Sequence, residues 1–598
     1  MKFIESLKVT FKEMNRSIQR FPLTVLFMLA VMVLNALMIE NTILDFTRLL
    51  FTFLIGASLS LVGQMIYERF YMVKQTVTIR YGILAASIAL TIAYFFMIGP
   101  QVEFNLDIST KSIVTLFALM VAFIWVPSID NAAIAFHQSF LSTFKAFFVT
   151  ALYSSVLALG VSAIYSATDY LLVDLNSTLL SHLLNVILCL FAPLYFLSQI
   201  PQFPTENIQV SDKMKQHLLV PRFFEVLLSY IVIPLVTVYT LILVAYILLN
   251  IGTEFWSDNL LEPLMVSYAV IGMIVLILSF NIDNRWTILF RQIFPKVLIP
   301  MAIFQTVASI IKINEMGLTH GRYYVILFGV FATIVGLIYS FMKLKFHGSI
   351  ALVLLILSLL SIMPPIDAFT VSKHSQLKLF EQKLKENNLL VENELRPNQD
   401  VPIGERIIIT NVASYVYNMG YQNELAFLPE DFNLYTDFNP TFGFNLTYSQ
   451  TDIQHLEGQY FYLNREELVF ELGEADTMII QMLNYTENQP VDETLDDLIF
   501  SVNNENYQLE RILDGQYYTL TVRNEFGEPL IESSLEELFD EVLGELSILE
   551  YSEDKFLSVE DATFTVENEQ VSLELLVLSL QRTDTFNSIE MMVLINIK

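Results

Sequence analysis

A single cysteine in 598 residues, Cys189 inside an apolar run, leaves nothing from which to build a disulfide framework, an iron–sulfur cluster or a cysteine-based zinc site. Histidine is also scarce, with seven scattered along the chain, too few for a histidine-rich metal centre. Charged residues make up only 16%, against about a quarter in an average soluble protein. The motifs of common chemistries are missing too: there is no phosphate-binding glycine loop, no HExxH, no GxSxG and no calcium-loop spacing. The chain therefore offers no catalytic residue, no cofactor motif and no metal site to the reader of its sequence.

What is present is hydrophobic, at 54%, and unevenly spread. Pro364–Lys598 holds 12 Lys+Arg against 44 Asp+Glu, whereas Met1–Met363 is slightly positive. The net charge of −29 thus belongs to the C-terminal part. Such an acidic surface argues against nucleic acid, whose phosphates are bound through Lys and Arg.

Eleven apolar runs in the first 363 residues are long enough to cross about 30 Å of hydrocarbon as helices. They lie near Pro22–Ile39, Leu49–Tyr67, Tyr81–Ile98, Ser112–Val126, Ala146–Ile164, Leu179–Leu197, Phe223–Leu249, Leu261–Phe280, Phe294–Ile311, Tyr323–Phe341 and Gly348–Met363. Their connectors alternate in charge. Arg69/Lys74/Arg80, Lys213/Lys215/Arg222, Arg285/Arg291/Lys296 and Lys343/Lys345 are basic, as is the N-terminus. Glu40/Asp45, Glu103/Asp107, Asp169/Asp174 and Glu254/Asp258/Glu262 are acidic. Because short cytoplasmic loops collect Lys and Arg, this register predicts a cytoplasmic N-terminus and, after an odd number of spans, an extracytoplasmic C-terminal domain.

The expected fold is therefore an α-helical membrane bundle followed by a soluble α+β domain. Residues 1–21 read as a basic, amphipathic cytoplasmic segment and residues 22–363 as the transmembrane domain. Residues 364–450 read as a helical juxtamembrane region and residues 451–598 as the acidic domain. Helices are expected at Ser375–Glu386 and Gly404–Met419. A hairpin is expected about Asp514-Gly515, with a helix after Ser533/Ser534 and strands at Val571–Leu580 and Ser588–Ile597. The acidic cluster Asp492/Glu493/Asp496/Asp497 reads as a solvated face.

Within the spans, the deep polar positions hold amides, Asn35, Gln64, Asn185 and Gln305, with no mid-span carboxylate to serve a proton-coupled carrier. Pro193, Pro234 and Pro300 read as tolerated packing features. The most distinctive stretch is the polar connector Asn314–Tyr324, which crowds Glu315, His320 and Arg322 between two apolar runs. It reads first as a helix–helix turn, with Gly317 and Gly321 for geometry and Tyr323 and Tyr324 as interfacial anchors. The functional alternative is an outer-face polar site of Glu315, His320 and Arg322, joined by Asp169, Glu254 and Asp258, that meets a headgroup, a glycan or the soluble domain.

Several stretches together resemble a known family. They are KINEMGLTHGRYY at Lys312–Tyr324, FPKVLIPMAIF at Phe294–Phe304, ATDYLL at Ala167–Leu172, SQLKLFEQKLKENNLL at Ser375–Leu390 and FNPTFGF at Phe438–Phe444. The chain is similar to the bacterial multi-pass proteins of domain-of-unknown-function family 4153. That resemblance implies a bacterial membrane protein and supplies no activity. Three roles follow as expectations: a non-enzymatic envelope sensor or scaffold in contact with lipid, glycan or other membrane proteins; a permease; or a transferase acting on lipid-linked substrate.

Overall fold

The computed structural model describes residues 12–40, 45–72, 77–98, 105–173, 175–203, 218–250, 261–429, 432–434, 437–447, 459–462, 475–486, 498–502, 505–514, 517–536, 538–540, 562–582 and 586–598. Among these, eleven helices are long and apolar enough to cross a membrane. In chain order they are α1 (Pro22–Glu40), α2 (Thr47–Phe70), α3 (Val77–Ile98), α4 (Leu106–Trp125) and α5 (Phe136–Leu171). Then come α6 (Thr178–Gln199) and α7 (Arg222–Leu249). The series ends with α8 (Leu261–Ser279), α9 (Arg285–Met316), α10 (His320–Phe341) and α11 (Leu344–Ile362).

Each expected run lies within one of these helices or overlaps it to within a residue or two. Several helices extend well beyond their apolar run, for a physical reason. α4 starts six residues early because Asn105 accepts a hydrogen bond from the Ile108 amide and caps it. α9, at 32 residues or about 48 Å, begins at a cap on Asn284, whose side chain accepts from Thr287 N. It therefore outruns the hydrocarbon that its apolar core was matched to.

The bundle is held by close backbone approach and by pairs of polar groups. A Cβ on Gly272 would sit 2.1 Å from the Phe294 ring, and one on Gly329 would sit 2.1 Å from Thr306 Oγ1. Such contacts suit membrane helices, which gain no hydrophobic drive from one another and rely on packing and interhelical hydrogen bonds. Asn35 donates to Asn185 Oδ1 at 3.0 Å, and Asn185 donates to Met32 O at 2.9 Å. Thr24 and Ser60 hydroxyls meet at 2.7 Å, Thr240 and Tyr268 at 2.9 Å. Gln305 reaches Val325 O at 3.4 Å. Two prolines follow π-helical turns: Pro193 comes two residues after Ile187–Phe191, and Pro234 two residues after Leu227–Val232. A widened turn gives the ring room and leaves fewer carbonyls orphaned by the missing N–H.

Beyond the spans lie α12 (Ala368–Glu386), the short pair β1 (Leu390–Val391) and β2 (Glu394–Leu395), α13 (Ile403–Asn418) and α14 (Phe438–Phe442). α12 starts seven residues before the expected Ser375, because Asp367 caps it after Pro364-Pro365. The strands are β3 (Gln459–Tyr462), β4 (Thr477–Thr486), β5 (Leu498–Val502), β6 (Glu505–Asp514), β7 (Tyr517–Arg523), β8 (Pro529–Ser534), β9 (Thr563–Glu567), β10 (Val571–Arg582) and β11 (Phe586–Ile597). They form an antiparallel sheet β3-β10-β11-β4 with β9 also on β10, and an antiparallel meander β5-β6-β7-β8. One apolar core joins the two sheets, from Leu509, Leu520 and Val522 to Leu573, Met591 and Val593. The β6–β7 hairpin closes with Asp514 opposite Tyr517. The turn after Ser534 is helical at Leu535, with Glu536 N donating to Ser534 Oγ. The Asp492–Asp497 cluster lies outside the described residues.

The chain forms two compact units, residues 1–395 with 411–432, and residues 396–410 with 433–598. The chain crosses between them three times, after residues 395, 410 and 432, the second time within α13.

Candidate functional site

The membrane unit has two polar ends. At one, Arg20 forms a two-pronged pair with Glu68, at 2.8 and 2.7 Å, with both side chains nearly buried. Gln64 donates to Glu68 at 2.9 Å, and Arg20 also donates to Ile200 O at 2.6 Å. Arg69 donates to Ile129 O and Asp130 O, and Arg80 to Arg20 O. This basic end is stapled chiefly by arginines on orphan carbonyls, a use to which the guanidinium fork is suited.

The other end is organised by the α9–α10 connector. α9 stops at Gly317, whose φ of +69° few other residues adopt, and α10 starts after Thr319, whose hydroxyl accepts from Arg322 N. Between the helices only Gly317, Leu318 and Thr319 remain, and α12 clasps them. Ser375 Oγ accepts from Leu318 N at 3.0 Å, and Gln376 Nε2 donates to Met316 O at 2.9 Å. Tyr323 Oη donates to Ile366 O at 2.8 Å.

His320 is the hub of this clasp. Its ring stacks on Phe369 of α12, with centroids 4.9 Å apart and planes 10° from parallel. Tyr415 Oη of α13 accepts from His320 N at 3.2 Å and lies 2.9 Å from His320 Nδ1. It donates in turn to Ser372 Oγ at 3.2 Å, and Ser372 donates to Phe369 O at 3.1 Å. Since the Tyr415 and Ser372 protons are both committed along this chain, the bond between Nδ1 and Tyr415 requires the proton on Nδ1. Burial raises the Tyr415 hydroxyl above its ordinary pKa, with its hydrogen bonds to Ser372 and from the His320 amide opposing that, so it stays protonated.

Beside this hub sits a charged knot. Lys111 of α4 contacts Asp107 Oδ1 at 2.9 Å and Asp367 Oδ1 at 3.1 Å, and Asp367 has no exposed surface. Asp367 also accepts from Phe369 N and Thr370 N at 3.2 Å and from Thr370 Oγ1 at 2.6 Å. Burial alone would raise its pKa, but the Thr370 and Lys111 contacts outweigh that and hold the carboxyl below its ordinary value. Lys373 contacts Glu424 and lies 5.4 Å over the Tyr421 ring.

Of the residues singled out in the sequence, His320 enters this network directly. Arg322 turns back on its own connector and donates to Gly317 O at 3.1 Å. Asp169 lies elsewhere, accepting from Leu175 N at 2.7 Å as a loop brace. The Glu315 side chain, Glu254 and Asp258 lie outside the described residues. The sequence reading missed Lys111, Asp367, Phe369 and Tyr415. Only Asp367 carried a usable local signal, an Asp after Pro-Pro and before an apolar turn. Among the described residues no group of three His, Cys, Asp or Glu side chains is placed to hold a metal.

A helical bundle of eleven membrane-length spans with a polar clasp at one end, followed by β-sheets, defines a multi-pass membrane protein. The chain belongs to the family described as "Domain of unknown function (DUF4153)", whose model matches residues 24–391, more than half of it. No curated protein and no solved structure matches it.

Proposed function

We propose that the protein is a non-enzymatic sensor or scaffold of the bacterial envelope, with the basic end of its bundle in the cytoplasm and the acidic C-terminal region outside. On this reading residues 364–450 are the juxtamembrane region and residues 451–598 the acidic domain that meets lipid, glycan or another membrane protein. One observation carries the reading. At the α9–α10 connector His320 is engaged by Phe369 of α12 and Tyr415 of α13, and Arg322 by the connector's own Gly317 O, so these groups make a joint. His320, Phe369 and Tyr415 link the start of a membrane helix to α12 and α13, the helices that follow the last span. A joint of that kind suits a protein that relays or holds position. A permease is the second reading, favoured by the π-helical turns of α6 and α7, since such turns are frequent at functional sites.

The test is a deletion strain profiled for envelope lipids, glycans and exported solutes, complemented with the full chain or with His320→Ala/Tyr415→Phe. The scaffold reading expects altered envelope lipid or glycan, restored by the native chain and not by the variant, with the variant present in the membrane at native level. Full restoration by the variant would overturn the joint as the working part. Accumulation of one solute inside the cell, with envelope composition unchanged, would select the permease.

A further inference from the structure

The three helices α1, α2 and α3 enclose a slot that the polar clasp does not use. It has a volume of about 180 Å³ and is lined by Phe27, Thr52, Phe53, Ile88, Thr91 and Phe95, among others. Its floor is tight: a Cβ on Gly56 would meet Thr91 Oγ1 at 2.8 Å and the Phe27 ring at 3.0 Å. Its side is open, with Ile88 and Ile92 42% and 50% exposed on a helix whose surroundings are lipid. The surface it presents is apolar. The two hydroxyls in the lining are already donated to their own helices, Thr52 to Arg48 O at 2.8 Å and Thr91 to Ser87 O at 2.7 Å. Water, which needs two to four polar partners at such a site, finds poor accommodation there. The slot is built for hydrocarbon.

At its mouth stands a cation. Arg48, in the first turn of α2, lays its guanidinium 4.0 Å over the Phe95 ring and donates from Nη2 to Phe95 O at 2.6 Å. Its Nε is buried without a hydrogen-bond partner, and among the described residues no carboxylate pairs with it. The nearest acid in sequence, Asp45, is turned to Thr47, accepting from its amide at 2.8 Å. From Ile88 to Phe95 the slot runs seven residues along α3, about 10 Å of helix, so a chain lying in it would leave its glycerol end beside Arg48.

We propose that this slot is a binding site for one acyl chain of an anionic phospholipid, whose phosphate is held by Arg48. Arg48 meets both requirements: its stem lies along apolar surface, and with Nη2 on Phe95 O and Nε buried, Nη1 is the donor left for the phosphate. One basic residue near an anionic surface corresponds to about a five-fold preference for the charged lipid.

The purified full chain in phosphatidylcholine vesicles, with a trace of phosphatidylglycerol carrying a diazirine in its acyl chain, tests this by mapping photolabelled peptides. Label is expected at α1 and α3 around Phe27, Ile88 and Ile92. Unlabelled phosphatidylglycerol should compete about five-fold better than phosphatidylcholine. Arg48→Gln should keep the label and abolish that preference, while Arg48→Lys should keep part of it. Ile88→Trp should clear the label from the slot and leave labelling of other lipid-facing helices unchanged, with an unaltered melting temperature reporting that the bundle is intact. Label spread evenly over the lipid-facing helices, equal competition by the two lipids, or crosslinks from the slot to a second copy of the chain would each overturn the proposal.

Discussion

Asp367 binds together groups from two helices far apart in sequence: the first amides of α12 and, through Lys111, α4. Its carboxyl is held below the ordinary value, so its contribution to folding is full above the unfolded carboxylate pKa, about 3.9, and is lost as pH falls through the lower folded value. Protection of the Phe369 and Thr370 amides against hydrogen exchange, taken relative to the intrinsic rate at each pH, should therefore fall below about pH 4. Asp367→Asn should remove that acid step while keeping the helix cap, since Asn caps as well as Asp. It should also cost about 1.5–3 kcal/mol of local stability for the lost charged hydrogen bonds. An unchanged exchange profile in acid would count against the knot. The same site shows what a sequence can and cannot disclose. His320 attracted notice through its polar neighbours, yet its partners, Phe369 and Tyr415, are 49 and 95 residues further on and carry no local mark.

At the level of helices, apolar length was fully legible, because crossing hydrocarbon demands it of every span. Helix ends were not, because they depend on caps such as Asn105, Asn284 and Asp367, which lie outside the apolar runs. Contacts between helices were less legible still. Gly336 of α10 faces α9, where an added Cβ would lie 2.6 Å from Ile299 Cγ1 and 2.9 Å from Pro295 O. The second atom is backbone and cannot rotate away. Gly321 of the same helix has nothing within 4 Å of such a Cβ. Gly336→Ala should therefore lower stability by about 1–3 kcal/mol through overpacking. Gly321→Ala should raise it by about 0.5–1 kcal/mol through reduced backbone freedom in the unfolded chain. Melting of both variants in detergent decides the matter, and equal shifts would refute the α9–α10 contact.

For the chain as a whole, the connectors give a topology that can be tested directly. Lys and Arg collect at the end of the bundle where Arg20 meets Glu68, and the rule for cytoplasmic loops predicts that this end is inside. After eleven spans the acidic region would then lie outside. Protease added to intact spheroplasts should remove the region beyond residue 364; cleavage that requires lysis would show that the orientation, or the odd span count, is wrong.

Two physical constraints made the class of this protein readable from its residues alone. Hydrocarbon sets a minimum apolar length, and uneven charge separates a nearly neutral membrane half from an acidic remainder. Both are local or additive properties, so a linear reading recovers them. The clasp around His320, the Lys111–Asp367 knot and the slot beside Arg48 depend instead on which helices become neighbours. Membrane helices choose neighbours through a few glycines, hydroxyls and amides, and those residues look alike in sequence until the chain has folded.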